Sequence, residues 1–265
     1  GWMHELKKLN FEDAVAFYKR HYAPNNAILV VAGDVTPAQV KILAEQYYGA
    51  ISANLSVKPR QRTQEPPQRS ARRMTYYDER VAQPYVSRIY LAPERDRGDQ
   101  KTAAALVYLA EILGGSSATS ILGKELQFDT QKAVYTSAYY SGVSLDNTTF
   151  GLIAVPVSDV SLQEVEDAMD SAIDGFMKSG IDLETFKRIK LQMRASEIYA
   201  MDNVQGIANR YGAALTQGLT ISDVQDWPQV LQDVTAEDIM AAAHLVFDRK
   251  ASVTGWLMGL KGDSK

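Results

Sequence analysis

The chain has 265 residues, 46% of them hydrophobic and 23% charged, with a net charge of −4, three histidines and no cysteine. That balance is ordinary for a soluble globular protein and is long enough for one large domain, or one domain plus a piece of another. The missing cysteines exclude disulfides, thiol nucleophiles and cysteine-held zinc, and no apolar run approaches the ~20 residues of a membrane span.

The opening GWMHEL puts His4 beside Glu5, the start of the helical zinc signature H-E-x-x-H, in which two imidazoles share one helix face. The second histidine's place is held by Lys8, whose ammonium cannot ligate zinc, and the inverted H-x-x-E-H is absent too. His4, His21 and His244 lie too far apart in sequence to share a helix face, so GWMHEL is not a metal site. Nor does it read as a secretory signal, since no long apolar stretch follows a basic start. Asn10 is placed to cap a helix carrying Phe11, Val15, Phe17, Tyr18 and Tyr22 over its apolar side. AILVVAG (27–33) has the composition of a strand covered on both faces. Thr36 and Pro37, with Gln39 completing a capping box, start a helix to about Tyr48 that stops at Gly49. Gly33-Asp34 after a strand suggests a nucleotide loop, but neither G-x-G-x-x-G nor a lysine-bearing phosphate loop is present.

Residues 54–73 hold Lys58 and five arginines against Glu65, a local charge of +5; taken from the overall −4, this leaves −9 on the rest of the chain. Without interleaved aromatics, and joined to an acidic body that repels phosphate, this stretch reads as an extended linker with Pro59, Pro66 and Pro67 rather than a nucleic-acid arm. MTYYDERVAQPYVSRIYLAPE then reads as two strands, with alternation clearest in SRIYLA. Asp99 is expected to cap a helix ended by Gly114-Gly115, followed by a short helix in SILGKELQF. VYTSAYYSG and NTTFGLIAVPV pair as strands across a turn at 145–147. Ser161 and Glu164 form a capping box for a helix ending near Gly180, and a longer helix follows Asp182. Shorter helices at about 203–217 and 223–232, one capped by Thr235, and a final strand in RKASVTGWL complete the chain. The fold class is α+β, a mixed, mostly antiparallel sheet with helices packed on one side.

Two echoes point to internal repetition. Gly33-Asp34-Val35-Thr36 with Val40 recurs as Ser158-Asp159-Val160-Ser161 with Val165, each between a strand and a helix. The helix bearing Glu12-Asp13 and leading through Tyr22 to a strand recurs at Glu237-Asp238, Phe247 and SVTG. The opening segment therefore reads as the tail of a domain similar to the one that follows.

GWMHELKKLNFEDAVAFYKRHYAPNNAILVVAGDVTPAQV, LAEILGGSSATSILGKEL, QKAVYTSAYY and MDNVQGIANRYGAALTQGLTISDVQDWP resemble the pitrilysin/insulinase family of zinc metallopeptidases, in the bacterial branch similar to mitochondrial processing peptidase. The resemblance implies that 1–53 is the C-terminal part of a catalytic lobe, 54–73 a linker, 74–258 a complete second lobe and 259–265 a tail. It implies zinc in the full-length parent, held upstream by the inverted H-x-x-E-H and a later glutamate, and no metal in this part. It further implies a chamber closed around an extended peptide or protein substrate, a homo- or hetero-dimer with a related subunit, no nucleic acid, and a periplasmic or envelope location. Some members present an arginine and a tyrosine to the substrate from the second lobe. Tyr135 matches the tyrosine by its place after Ala133-Val134; the arginine's place falls at about Gln127, and the arginine after the family's serine-rich turn at Ile121. The alternative is a non-catalytic partner subunit or scaffolding relative of such a peptidase.

Overall fold

A glutamate that accepts four hydrogen bonds inside an otherwise apolar layer marks the centre of this fold. The computed structural model describes residues 2–58, 61, 63 and 66–260. Five positions of the expected linker and most of the expected tail, 261–265, lie outside them. The chain divides into two compact units, Gly1–Glu65 with Met201–Thr216, and Pro66–Ala200 with Gln217–Lys265.

The first unit holds α1 (Met3–Leu6), α2 (Phe11–His21) and α3 (Pro37–Tyr48). Asn10 with Asp13 and Thr36 with Gln39 make full capping boxes, satisfying backbone donors that each helix start would otherwise leave open. None of residues 2–58 is buried; Phe11 is 77% and Tyr22 68% exposed. The strand expected at 27–33 does not form, and this is a correction. The segment has no ladder partner among the described residues, and Ile28, Leu29 and Val31 stay about half exposed. A strand covered on both faces requires neighbours to take its N–H and C=O groups, and its composition alone cannot supply them. The helix Val204–Thr216 is grouped with this unit as well.

The second unit is built on five strands: β1 (Arg72–Tyr77), β2 (Tyr85–Ala92), β3 (Ala133–Tyr140), β4 (Thr148–Pro156) and β5 (Ser252–Met258). Their order is β1-β5-β2-β4-β3, antiparallel except for the parallel pair β1–β5. The helices are α4 (Lys101–Gly114), α5 (Leu162–Ser179), α6 (Leu183–Ala200), α8 (Ile221–Asp233) and α9 (Ala236–Val246), where α7 denotes Val204–Thr216. A π-helical turn at Gly123–Asp129 precedes β3. Helices α4, α5 and α9 cover one face of the sheet. On β2 the residues in phase with that face, Val86, Arg88, Tyr90 and Ala92, are buried, while Tyr85, Ser87 and Ile89 between them are not. The alternation expected in SRIYLA is therefore real, with a charged residue in its buried phase. Asp99 is not the helix cap: Gln100 holds that place without a side-chain bond, and Asp99 only accepts from the Lys101 amide at 3.4 Å.

The buried charge at Arg88 is met from α5. Its Nη2 donates to Glu166 at 2.6 Å, its Nη1 donates to Asp170, and its Nε donates to Thr254 Oγ1 at 2.9 Å. Glu166 also accepts two bonds from Arg73 and one from Trp256 Nε1 at 2.7 Å, and Asp170 pairs with Arg249 at 2.9 Å. Burial works against the Arg88 charge, yet the hydrogen bond and charge of Asp170 outweigh it and hold the guanidinium above its ordinary pKa.

Tyr108 is the opposite case. It is fully buried, packs edge-on to Phe186, and its hydroxyl has no partner among the described residues. Burial raises its pKa from 10.0 to about 12. Tyr108→Phe removes a desolvated donor without leaving a cavity, so stability should hold or rise by about 1 kcal/mol in a denaturant titration. The sign in alkali follows from the proton count. The unfolded tyrosine releases its proton from about pH 10, the folded one near 12, so wild-type stability declines as pH climbs through that window. The variant should lack this part of the decline; an equal alkaline slope in both proteins contradicts the assignment.

Candidate functional site

Tyr135 stands on β3, an edge strand, and its orientation depends on one irregularity. The β3–β4 register runs Ala133↔Pro156 and then Tyr135↔Val155, so Val134 is an extra residue, a bulge. Ala133, Thr136 and Ala138 are buried toward the helices, while Val134 and Tyr135 are 51% and 52% exposed. Without the bulge, Tyr135 would share the phase of Ala133 and face the helix layer. With it, the phenol projects from the face opposite α4, α5 and α9.

That face continues away from Tyr135 as a row of uncharged side chains. Leu257 pairs with Tyr85 on one side and with Tyr76 on the other, and Tyr76 is 60% exposed. Two same-face steps along β3, past Ser137, the Tyr139 ring lies over Gly151, where any added Cβ would overlap it. Phenol hydroxyls and ring faces can hydrogen-bond to and stack on an extended chain. Tyr135, Tyr85 and Tyr76 offer hydroxyl donors and ring faces and do not constitute a nucleophile–base pair.

Gln127 is not brought to the Tyr135 phenol. Its Nε2 donates to Thr136 Oγ1 at 2.7 Å, on the helix-facing side of β3. Ile121 packs against the core. The histidines have separate surroundings: the His21 ring is tilted against Phe17 at 4.5 Å, His4 lies by Trp2, and His244 sits in the last turn of α9. Among the described residues no three of His, Cys, Asp and Glu are grouped to hold a metal, so these side chains do not fit a zinc centre.

The profile of the peptidase M16 inactive domain matches residues 8–193. The chain belongs to this family. A zinc protease, PqqE of Helicobacter pylori, is 25% identical over 260 residues, covering 97% of this chain and 57% of the relative. A protease crystal structure from the same organism superposes with a TM-score of 0.89 at 23% identity, over 97% of this chain and 61% of that one. The periplasmic protease PqqL of Escherichia coli does so at 0.79 and 13% identity, over 97% of this chain and 29% of that one. The chain thus spans little more than half the length of the curated relative it matches. The family's relatives are zinc proteases, and its fold is the mixed, mostly antiparallel α+β lobe described above.

Two features of the sheet escaped sequence reading. The Val134 bulge leaves no mark in AVYTSAYY. The Arg88 cluster did leave one: an arginine in the buried phase of SRIYLA demands a buried acid, and Glu166 and Asp170 are offered four residues apart on a single helix.

Proposed function

We propose that this chain is the end of the catalytic lobe (1–53), a linker (54–73), the complete second lobe (74–258) and a tail (259–265) of a zinc endopeptidase. The second lobe closes a chamber around an extended peptide, with Tyr135 presented to the substrate. The single observation that carries this reading is the bulge-directed Tyr135 on the face opposite α4, α5 and α9 in a peptidase M16 inactive domain. Zinc and the residues that hold it belong to the remainder of the parent, and the residues present here bind and orient. The Tyr135 hydroxyl is suited to donate to a peptide carbonyl, and Tyr85 and Tyr76 to pack against apolar side chains. Pairing with a related subunit, as a homo- or hetero-dimer, completes the chamber. A periplasmic or envelope site of action agrees with the periplasmic relative, and no helix among the described residues is long and apolar enough to cross a membrane.

In the full-length peptidase, Tyr135→Ala should lower kcat/KM on an extended peptide about tenfold, the scale of one or two lost contacts. Melting temperature should stay constant, because the side chain is half exposed. Tyr135→Phe separates hydroxyl from ring. Unchanged kcat/KM in the alanine variant sinks the assignment. A second reading, a non-catalytic partner subunit, is favoured by the family's inactive-domain description. The two are told apart by whether the full-length protein, purified alone, cleaves peptides.

A further inference from the structure

We propose that β1 is a releasable strap, fastened to the second unit chiefly by the Arg73–Glu166 contact. All six residues of β1 are exposed, and its ladder is a parallel one to β5 at the edge of the sheet. Parallel pairing is the weaker kind, and an edge strand has a partner on one side only. Besides the ladder, two side chains among the described residues hold this end of the chain. Gln68 Nε2 donates to the carbonyls of Ser252 at 2.8 Å and Lys250 at 3.4 Å, and Arg73 reaches Glu166 with both Nη atoms, at 2.9 and 2.5 Å. Arg73 also lies over the Trp256 ring, 4.9 Å from its centroid.

The charge balance behind the strand is what makes the fastening reversible. Arg73, Arg88 and Arg249 face Glu166 and Asp170, so one cation is in excess while β1 is docked. When Arg73 leaves, two guanidiniums and two carboxylates remain, a neutral set. Glu166, only 1% exposed, keeps Arg88 and Trp256 as donors. No buried charge is stranded, which is the usual penalty for breaking such a contact. Arg73 itself is 45% exposed and is rehydrated at little cost. Arg88 has no such freedom, being 1% exposed and bonded to both acids. Release of the six β1 residues adds about 20 Å of contour to the segment that leads out of the first unit, at roughly 3.3 Å per residue.

Native-state hydrogen exchange on the whole chain, comparing wild type with Arg73→Gln, tests this directly. The amides of 73–77 should exchange about tenfold faster or more in the variant, the scale of losing a charge-assisted contact. Amides of β2 and β4 should keep their protection, and the melting temperature should move little. Trypsin should also cut faster at Arg72. Equal acceleration across β1, β2 and β4, unaltered exchange in β1, or a variant that fails to fold would each overturn the proposal.

Discussion

Arg88→Met is expected to destabilise the second unit by about 3–5 kcal/mol, the range for removing one partner from a buried ion pair. The loss is large because both acids depend on this guanidinium. Glu166 retains Arg73, which is half in solvent, and Asp170 retains Arg249, which is 63% exposed. Two carboxylates at a helix–sheet interface then face an apolar methionine. Denaturant titration followed by tryptophan emission reads the effect, since Trp256 donates to Glu166. Replacing Arg88, Glu166 and Asp170 together by apolar residues should recover most of the loss, because desolvating the charges costs nearly as much as their attraction returns. A single variant that loses less than about 1 kcal/mol would show the cluster to be solvated like a surface pair.

Gly114→Ala comes next in size, at about 2–3 kcal/mol, the upper part of the range for overpacking. Gly114 closes α4 directly against β3. A Cβ there would overlap the Ala138 amide nitrogen and sit 2.6 Å from the Ser137 carbonyl carbon, and main chain cannot rotate aside as a side chain can. The strand it meets is the edge strand bearing Tyr135, so if Tyr135 has the role proposed above, the full-length variant should lose peptide affinity along with stability. Gly175→Ala is the matching control. It sits within α5 with nothing inside 4 Å of the added Cβ, and should gain about 0.5–1 kcal/mol from helix propensity. Equal melting temperatures for the two variants would contradict the packing assigned to Gly114.

What the sequence disclosed and what it withheld divide along physical lines. The helix starts at Asn10, Thr36, Ser161 and Thr235 are written within four residues of chain, and all four caps form. The β3–β4 hairpin was equally local. The segment 27–33 misled because strand composition says nothing about whether a neighbour is present. The parallel pairing of β1 with β5 joins residues about 180 positions apart in the register Arg72↔Val253, and no local pattern encodes it. Helix Val204–Thr216 has ordinary amphipathic spacing, which fixes a helix but not the unit it joins. At the candidate site, Tyr135 is proposed through resemblance alone, while Tyr85 and Tyr76 need the strand order before they can be placed beside Leu257.

The Val134 bulge makes the outward identity of β3 a question of parity. Residues before it count odd and even in the opposite sense from those after it: Ala133 and Thr136, three apart, both face the helices, and the two residues between them both face away. A homologue lacking Val134 would return to plain alternation, with Ala133 inward, Tyr135 outward and Thr136 inward, and would lose only the bulge. Among relatives, then, two residues between the positions of Ala133 and Thr136 signal the bulge, and a single one signals plain alternation with the tyrosine still outward.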